Sequence, residues 1–130
     1  MTGGNSIDIN ELNRLVDEQP KQTWAKPKHN VFITKYQLHD YCLKWSCYAI
    51  LTAEEQLHIV DQLTDIISSY NMEHNYGGGF LERAMLEHWE SAFRNADPTN
   101  QNCIEIYKDF IAHKLPEDHK AVFRKFLLDW

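Results

Sequence analysis

Apolar and polar residues recur with the period of an α-helix over much of this chain. The pattern is clearest over residues 53–70, where the apolar half of a helical wheel carries Leu57, Ile59, Val60, Leu63, Ile66, Ile67 and Tyr70. The polar half carries Glu54, Glu55, His58, Asp61, Gln62 and Asp65. Thr52 and Glu55 have the spacing of a capping box, which satisfies free N–H groups where a helix begins. The pattern therefore predicts a helix that begins after Thr52 and ends between Tyr70 and Glu73.

Cap and breaker residues divide the rest of the chain into five further helices. Their predicted bounds are 8–18, 35–51, 80–95, 102–113 and 116–130. Apolar and aromatic residues surround much of the circumference of 35–51, so we expect this helix to be the central one. We allow one short extended segment at 31–33, between a proline-containing loop and the N-cap candidate Thr34.

These elements predict an all-α fold. Six helices with short connections favour an irregular single-domain bundle over a regular four-helix bundle. We expect residues 1–6 to be a disordered lead and 7–130 to be a single helical domain, as the length of 130 residues suggests. The hydrophobic content of 43% is sufficient for a core.

Charge is segregated along the sequence. No lysine or arginine occurs from Trp45 to Glu82, whereas the preceding stretch carries Lys21, Lys26, Lys28, Lys35 and Lys44. A net charge of −6 argues against direct binding to nucleic acid or to an anionic membrane. We expect no membrane span, because no apolar run approaches the roughly 20 residues that one requires. We also expect no signal peptide.

The acidic face of the helix over 53–70 is the first candidate site. Its members, Glu54, Glu55, His58, Asp61 and Asp65, recur at spacings that align them on one side. Such a face either binds lysine and arginine on a basic partner protein or is an ordinary solvated surface. The absence of interspersed lysine favours a partner, because solvated faces usually mix the two signs.

Aromatic residues supply candidate anchors for the same partner. Tyr76 and Phe80 flank Gly77, Gly78 and Gly79, which we interpret as a hinge or a left-handed helix C-cap. Trp24 lies in a loop between prolines and lysines, where it is either buried or an interface anchor.

A metal-dependent phosphohydrolase-like enzyme is an alternative hypothesis. It would use His39, Asp40, His58 and Asp65, since His39–Asp40 is similar to the doublet of such enzymes. The spacing of the possible ligands is loose, and no nucleophile motif is present, so we predict no catalytic residue, no metal and no cofactor. A second alternative is a structural or regulatory subunit that forms homo-oligomers through its aromatic surface.

Cysteine usage favours a reducing, cytoplasmic setting. Cys42, Cys47 and Cys103 are odd in number and have no zinc-site spacing. We expect Cys42 and Cys47 to pack as small apolar groups instead of forming a disulfide. Size, acidity and the missing catalytic motifs together resemble small bacterial immunity proteins and phage-encoded inhibitors, although no specific motif is shared. The resemblance implies a binding protein that neutralises a toxin nuclease or another nucleic-acid enzyme.

Overall fold

Helices form all the regular structure that is described for this protein. The computed structural model describes residues 26–127, in which helices account for 68% of positions and no strand occurs. The eight helices of this range are α1 Lys35–Cys42, α2 Ser46–Ala49, α3 Ala53–Met72, α4 Gly79–Met85, α5 Trp89–Asn95, α6 Pro98–Asn102, α7 Ile104–His113 and α8 His119–Phe126. The all-α prediction is confirmed. The predicted helix over 8–18, the predicted lead over 1–6 and Trp24 lie outside the described residues.

The central element is α3, which contacts α1, α4, α6 and α8. Its capping box forms as predicted: the Thr52 hydroxyl accepts from the Glu55 N–H, and the Glu55 carboxylate accepts from the Thr52 N–H. The buried face consists of Ile59, Val60, Leu63, Ile66, Ile67, Ser69 and Tyr70. The prediction that 35–51 is the central helix is wrong, because that segment divides into α1 and α2.

The predicted helices 35–51 and 80–95 each divide into two shorter helices, and neither break contains glycine or proline. Trp45 adopts an extended backbone (φ −101°, ψ 128°) between α1 and α2. Glu87 adopts a left-handed φ of 61° between α4 and α5. There the N–H groups of Glu87 and His88 donate to the carbonyls of Ala84 and Arg83, which is the hydrogen-bond pattern of a Schellman motif. The break lets α5 fold back against α4.

The C-terminal end of α3 holds the segment that precedes α1. Glu73 ends α3 with a left-handed φ of 50°. The N–H groups of Lys28 and His29 donate to the Asn71 carbonyl at 2.7 and 3.1 Å. The Asn71 side chain bonds the N–H and carbonyl of Val31 at 2.9 and 2.8 Å. Residues 31–33 therefore form no strand, because a side-chain amide bonds Val31 in place of a neighbouring strand.

The three cysteines are free thiols. Cys42 and Cys103 are fully buried in the core, while Cys47 is partly exposed. Burial raises the pKa of the Cys42 and Cys103 thiols to about 12. Cys42 thus packs as a small apolar group, as expected, and Cys47 packs against the core while partly exposed, with no disulfide between them.

Among the helices of residues 26–127, none has the length and apolar character that crossing a membrane requires.

Candidate functional site

The exposed side of α3 carries three carboxylates in a row, which we name the acidic stripe: Glu54, Asp61 and Asp65. Leu57 lies within the stripe, three residues after Glu54 and four before Asp61. Glu54 is exposed, whereas Asp61 and Asp65 are partly exposed. Successive spacings of three or four residues align these side chains along one side of a helix, as the sequence indicated.

Lys35 changes the charge of the stripe. It is the first residue of α1, and its Nζ lies 2.9 Å from Asp61 Oδ1. The acidic face is therefore not of one sign, contrary to the expectation from the sequence. Lys35 and Asp61 are 26 positions apart in the chain, so only the packing of α1 on α3 brings them together.

The surroundings of Asp65, the last carboxylate of the stripe, change its acidity. Burial raises its pKa above the ordinary value of 3.8, and the negative charge of Asp61 adds to this increase. The positive charge of Lys35 acts in the opposite direction. Lys35 therefore favours the ionised form of Asp65, whereas burial and Asp61 disfavour it.

Glu55 and His58 belong to the predicted acidic face, but both bond within the protein. Glu55 Oε1 accepts from the Thr52 N–H and hydroxyl at 3.0 and 3.1 Å. His58 Nε2 lies 2.9 Å from a carboxylate oxygen of Asp97, the residue that caps α6. These contacts position α3 and α6, so neither side chain is part of the acidic stripe.

A groove between α1 and α3 runs beside the stripe. This docking groove has a volume of 290 Å³ and is lined by Lys35, Tyr36, His39, Tyr48, Ala53, Gln56, Leu57 and Val60. Tyr36 is 79% exposed and Leu57 is 53% exposed. Leu57 was expected on the apolar, buried half of its helix, and that expectation is wrong. Two large apolar side chains beside one groove resemble the anchors of protein interfaces.

The inner part of the docking groove is polar. His39 Nδ1 lies 2.6 Å from the hydroxyl of the fully buried Tyr48. Burial raises the pKa of Tyr48 to about 12, so its hydroxyl stays neutral at physiological pH. The groove thus combines apolar walls with a polar pair, His39 and Tyr48, whose side chains hold each other in place.

The glycine loop, residues 76–80, was predicted to supply two anchors for a partner, and only one of them is exposed. Tyr76 is about half exposed, and its ring packs edge-on against His74 with 4.9 Å between centroids. Phe80 is only 7% exposed and packs against Tyr107 in the core, so the prediction that it anchors a partner is wrong.

A side chain at Gly77 would meet Leu81 at 2.6 Å, which explains a glycine there. The left-handed residue is Glu73 instead of a glycine.

Two residues of the metal hypothesis, His39 and His58, are bonded to other groups. His39 contacts Tyr48, His58 contacts Asp97, and Asp40 is exposed on α1. Within residues 26–127, no three His, Cys, Asp or Glu side chains form a group that could hold a metal ion.

Lys35, Tyr36 and Leu57 are the site residues that the sequence did not reveal. A lysine in the first turn of a helix is disfavoured by the helix dipole, and this was the one local signal for Lys35.

Comparison with known proteins finds no match, whether with family models, with curated proteins or with solved structures.

Proposed function

We propose that this protein binds a basic partner protein through the docking groove and the acidic stripe. The observation that carries the proposal is the pair of exposed apolar side chains, Tyr36 and Leu57, beside the exposed or partly exposed carboxylates of the acidic stripe. Isolated exposed apolar residues are ordinary on protein surfaces, but two on one groove give a partner an anchoring site. The surrounding charges then select a partner of opposite sign.

Covering a basic surface would neutralise a partner whose activity depends on that surface. A nuclease or another nucleic-acid enzyme binds phosphates through lysine and arginine, so occupation of those side chains would exclude its substrate. Free thiols at all three cysteines support a cytoplasmic, reducing setting for this function. No group of described residues supports the metal-dependent alternative.

The experiment is affinity capture from the native cell with the full chain and two double variants. Tyr36→Ala with Leu57→Ala removes the apolar walls of the docking groove. Phe32→Ala with Ile50→Ala is the matched control, because these residues are 82% and 83% exposed and do not line the groove. Substitutions at exposed positions usually change stability by no more than about half a kcal/mol, so both variants should fold.

We expect the groove variant to lose the captured partner and the control to retain it. Loss of the partner from both variants, or from neither, would contradict the proposal. Capture of further copies of this chain alone, with a mass above the monomer that is insensitive to salt, would support the homo-oligomer instead.

A further inference from the structure

We infer that the partner presents a basic amphipathic helix, and that a lysine or arginine of this helix displaces Lys35 from Asp61. The inference rests on the proposed function and deepens it, because it names both the element that docks and the contact that is exchanged.

Lys35 is placed where it can be displaced at little cost. The side chains of Lys35 and Asp61 are 60% and 46% exposed. Ion pairs with such exposure contribute little to stability, because water screens the charges and two side chains must be ordered. Lys35 also occupies the first position of α1, near the positive end of the helix dipole, and the first turn of α1 has no acidic residue.

A cation at Asp61 has a second effect within the acidic stripe. Lys35 lowers the pKa of Asp65, while Asp61 raises it. If Lys35 left without replacement, two neighbouring carboxylates would lose their nearest cation. A lysine or arginine from the partner restores this balance, so the exchange conserves the local charge.

The spacing of side chains on α3 fits a helix in the docking groove. Glu54 and Asp61 are seven residues apart, or about 10 Å along the helix axis, with Leu57 between them. A helix that carries two basic residues seven positions apart, with an apolar residue between them, matches this order of charge and apolar contact.

The test uses a defined probe and the full chain. The probe is a synthetic helical peptide with two lysines seven residues apart and a leucine between them, titrated by isothermal calorimetry. We expect Lys35→Gln to bind it about fivefold more tightly than the wild type, because the competing lysine is gone. Lys120→Gln is the matched control, since it removes the same charge from a lysine of similar exposure that pairs with Glu87. We expect this control to bind like the wild type.

Each other outcome overturns part of the inference. Equal affinity of the wild type and Lys35→Gln would show that Lys35 is not displaced. Equal binding of a peptide with a central proline would show that helical structure is not required. Failure of the probe to bind any variant would reject the basic helix as the docking element. The proposed function would survive each of these results if Tyr36→Ala with Leu57→Ala still abolished capture of the natural partner.

Discussion

Asp65 lies within α3 and Glu73 ends it, yet their surroundings shift their pKa values in opposite directions. Burial and the charge of Asp61 raise the pKa of Asp65. At Glu73, the hydrogen bond from His29 outweighs partial burial and, together with Lys125, lowers the pKa below 4.5. Glu73 therefore stabilises the fold when it is ionised. Asp65 stabilises the fold when it is protonated.

The stability of Glu73→Gln should depend less on acid pH than that of the wild type. The contribution of Glu73 is present above pH 4.5 and is lost as the pH falls through its lower folded-state pKa. Asp65 has the opposite sign: its contribution is complete below pH 3.8 and is lost as the pH rises through its raised pKa. We expect Glu73→Gln to be less stable at neutral pH and Asp65→Asn to be slightly more stable. Urea unfolding over this pH range measures the free energy of unfolding of both variants, with Asp40→Asn as the control. If the two variants showed the same pH profile as the wild type, the assignment of these pKa shifts would be contradicted.

At the scale of elements, helices could be predicted where the local signals agree. The amphipathic pattern and capping box of α3 gave correct bounds because periodicity, cap and burial all point to one helix. The break at Glu87 could not be predicted, since a left-handed non-glycine residue costs only about 1–2 kcal/mol and tertiary packing can offset it. The break at Trp45 could not be predicted either, because its extended backbone is open to any residue and carries no glycine or proline signal. A wheel likewise cannot tell an apolar residue at the edge of the buried face, such as Leu57, from one at its centre.

Two leucines of α3 that differ in burial, Leu63 in the core and Leu57 at the edge of the buried face, provide the test of this orientation. Leu63→Ala should destabilise the protein by about 2–5 kcal/mol, because Leu63 is fully buried and the deletion leaves a cavity. Leu57→Ala should change the free energy of unfolding by no more than about half a kcal/mol, as at other exposed positions. Chemical denaturation of both variants gives the comparison. Equal losses would mean that the exposed side of α3 is assigned wrongly.

At the scale of the molecule, negative charge and apolar surface coincide at one place. The carboxylates of the acidic stripe could be predicted, because they lie on one helix. Lys35 and Tyr36 could not, since a sequence pattern on α1 does not state which side of α3 it will cover. The sequence therefore predicted the three carboxylates of the candidate site, but neither the lysine beside them nor its apolar walls.

Charge reversal should separate folding from partner binding. Asp61→Lys with Asp65→Lys places cations against a basic partner, so we expect binding to be abolished while circular dichroism stays helical. Glu105→Lys with Glu117→Lys makes the same change in net charge at exposed positions outside the groove and should retain binding. Association of the wild type should slow as salt rises, because screening shortens steering to about 8 Å at physiological ionic strength. If binding is insensitive to both the charge reversal and salt, the acidic stripe does not contribute to it, and Tyr76 is the next candidate for the contact.

The distribution of the three thiols gives the folded protein a built-in chemical reporter. Only the thiolate reacts with an alkylating reagent, and burial with a pKa of about 12 leaves Cys42 and Cys103 almost entirely protonated and shielded. Partly exposed Cys47 should therefore be alkylated first, and the other two only when the core opens. The slow alkylation rate would then report how often the native protein unfolds, without denaturant and in the presence of any partner.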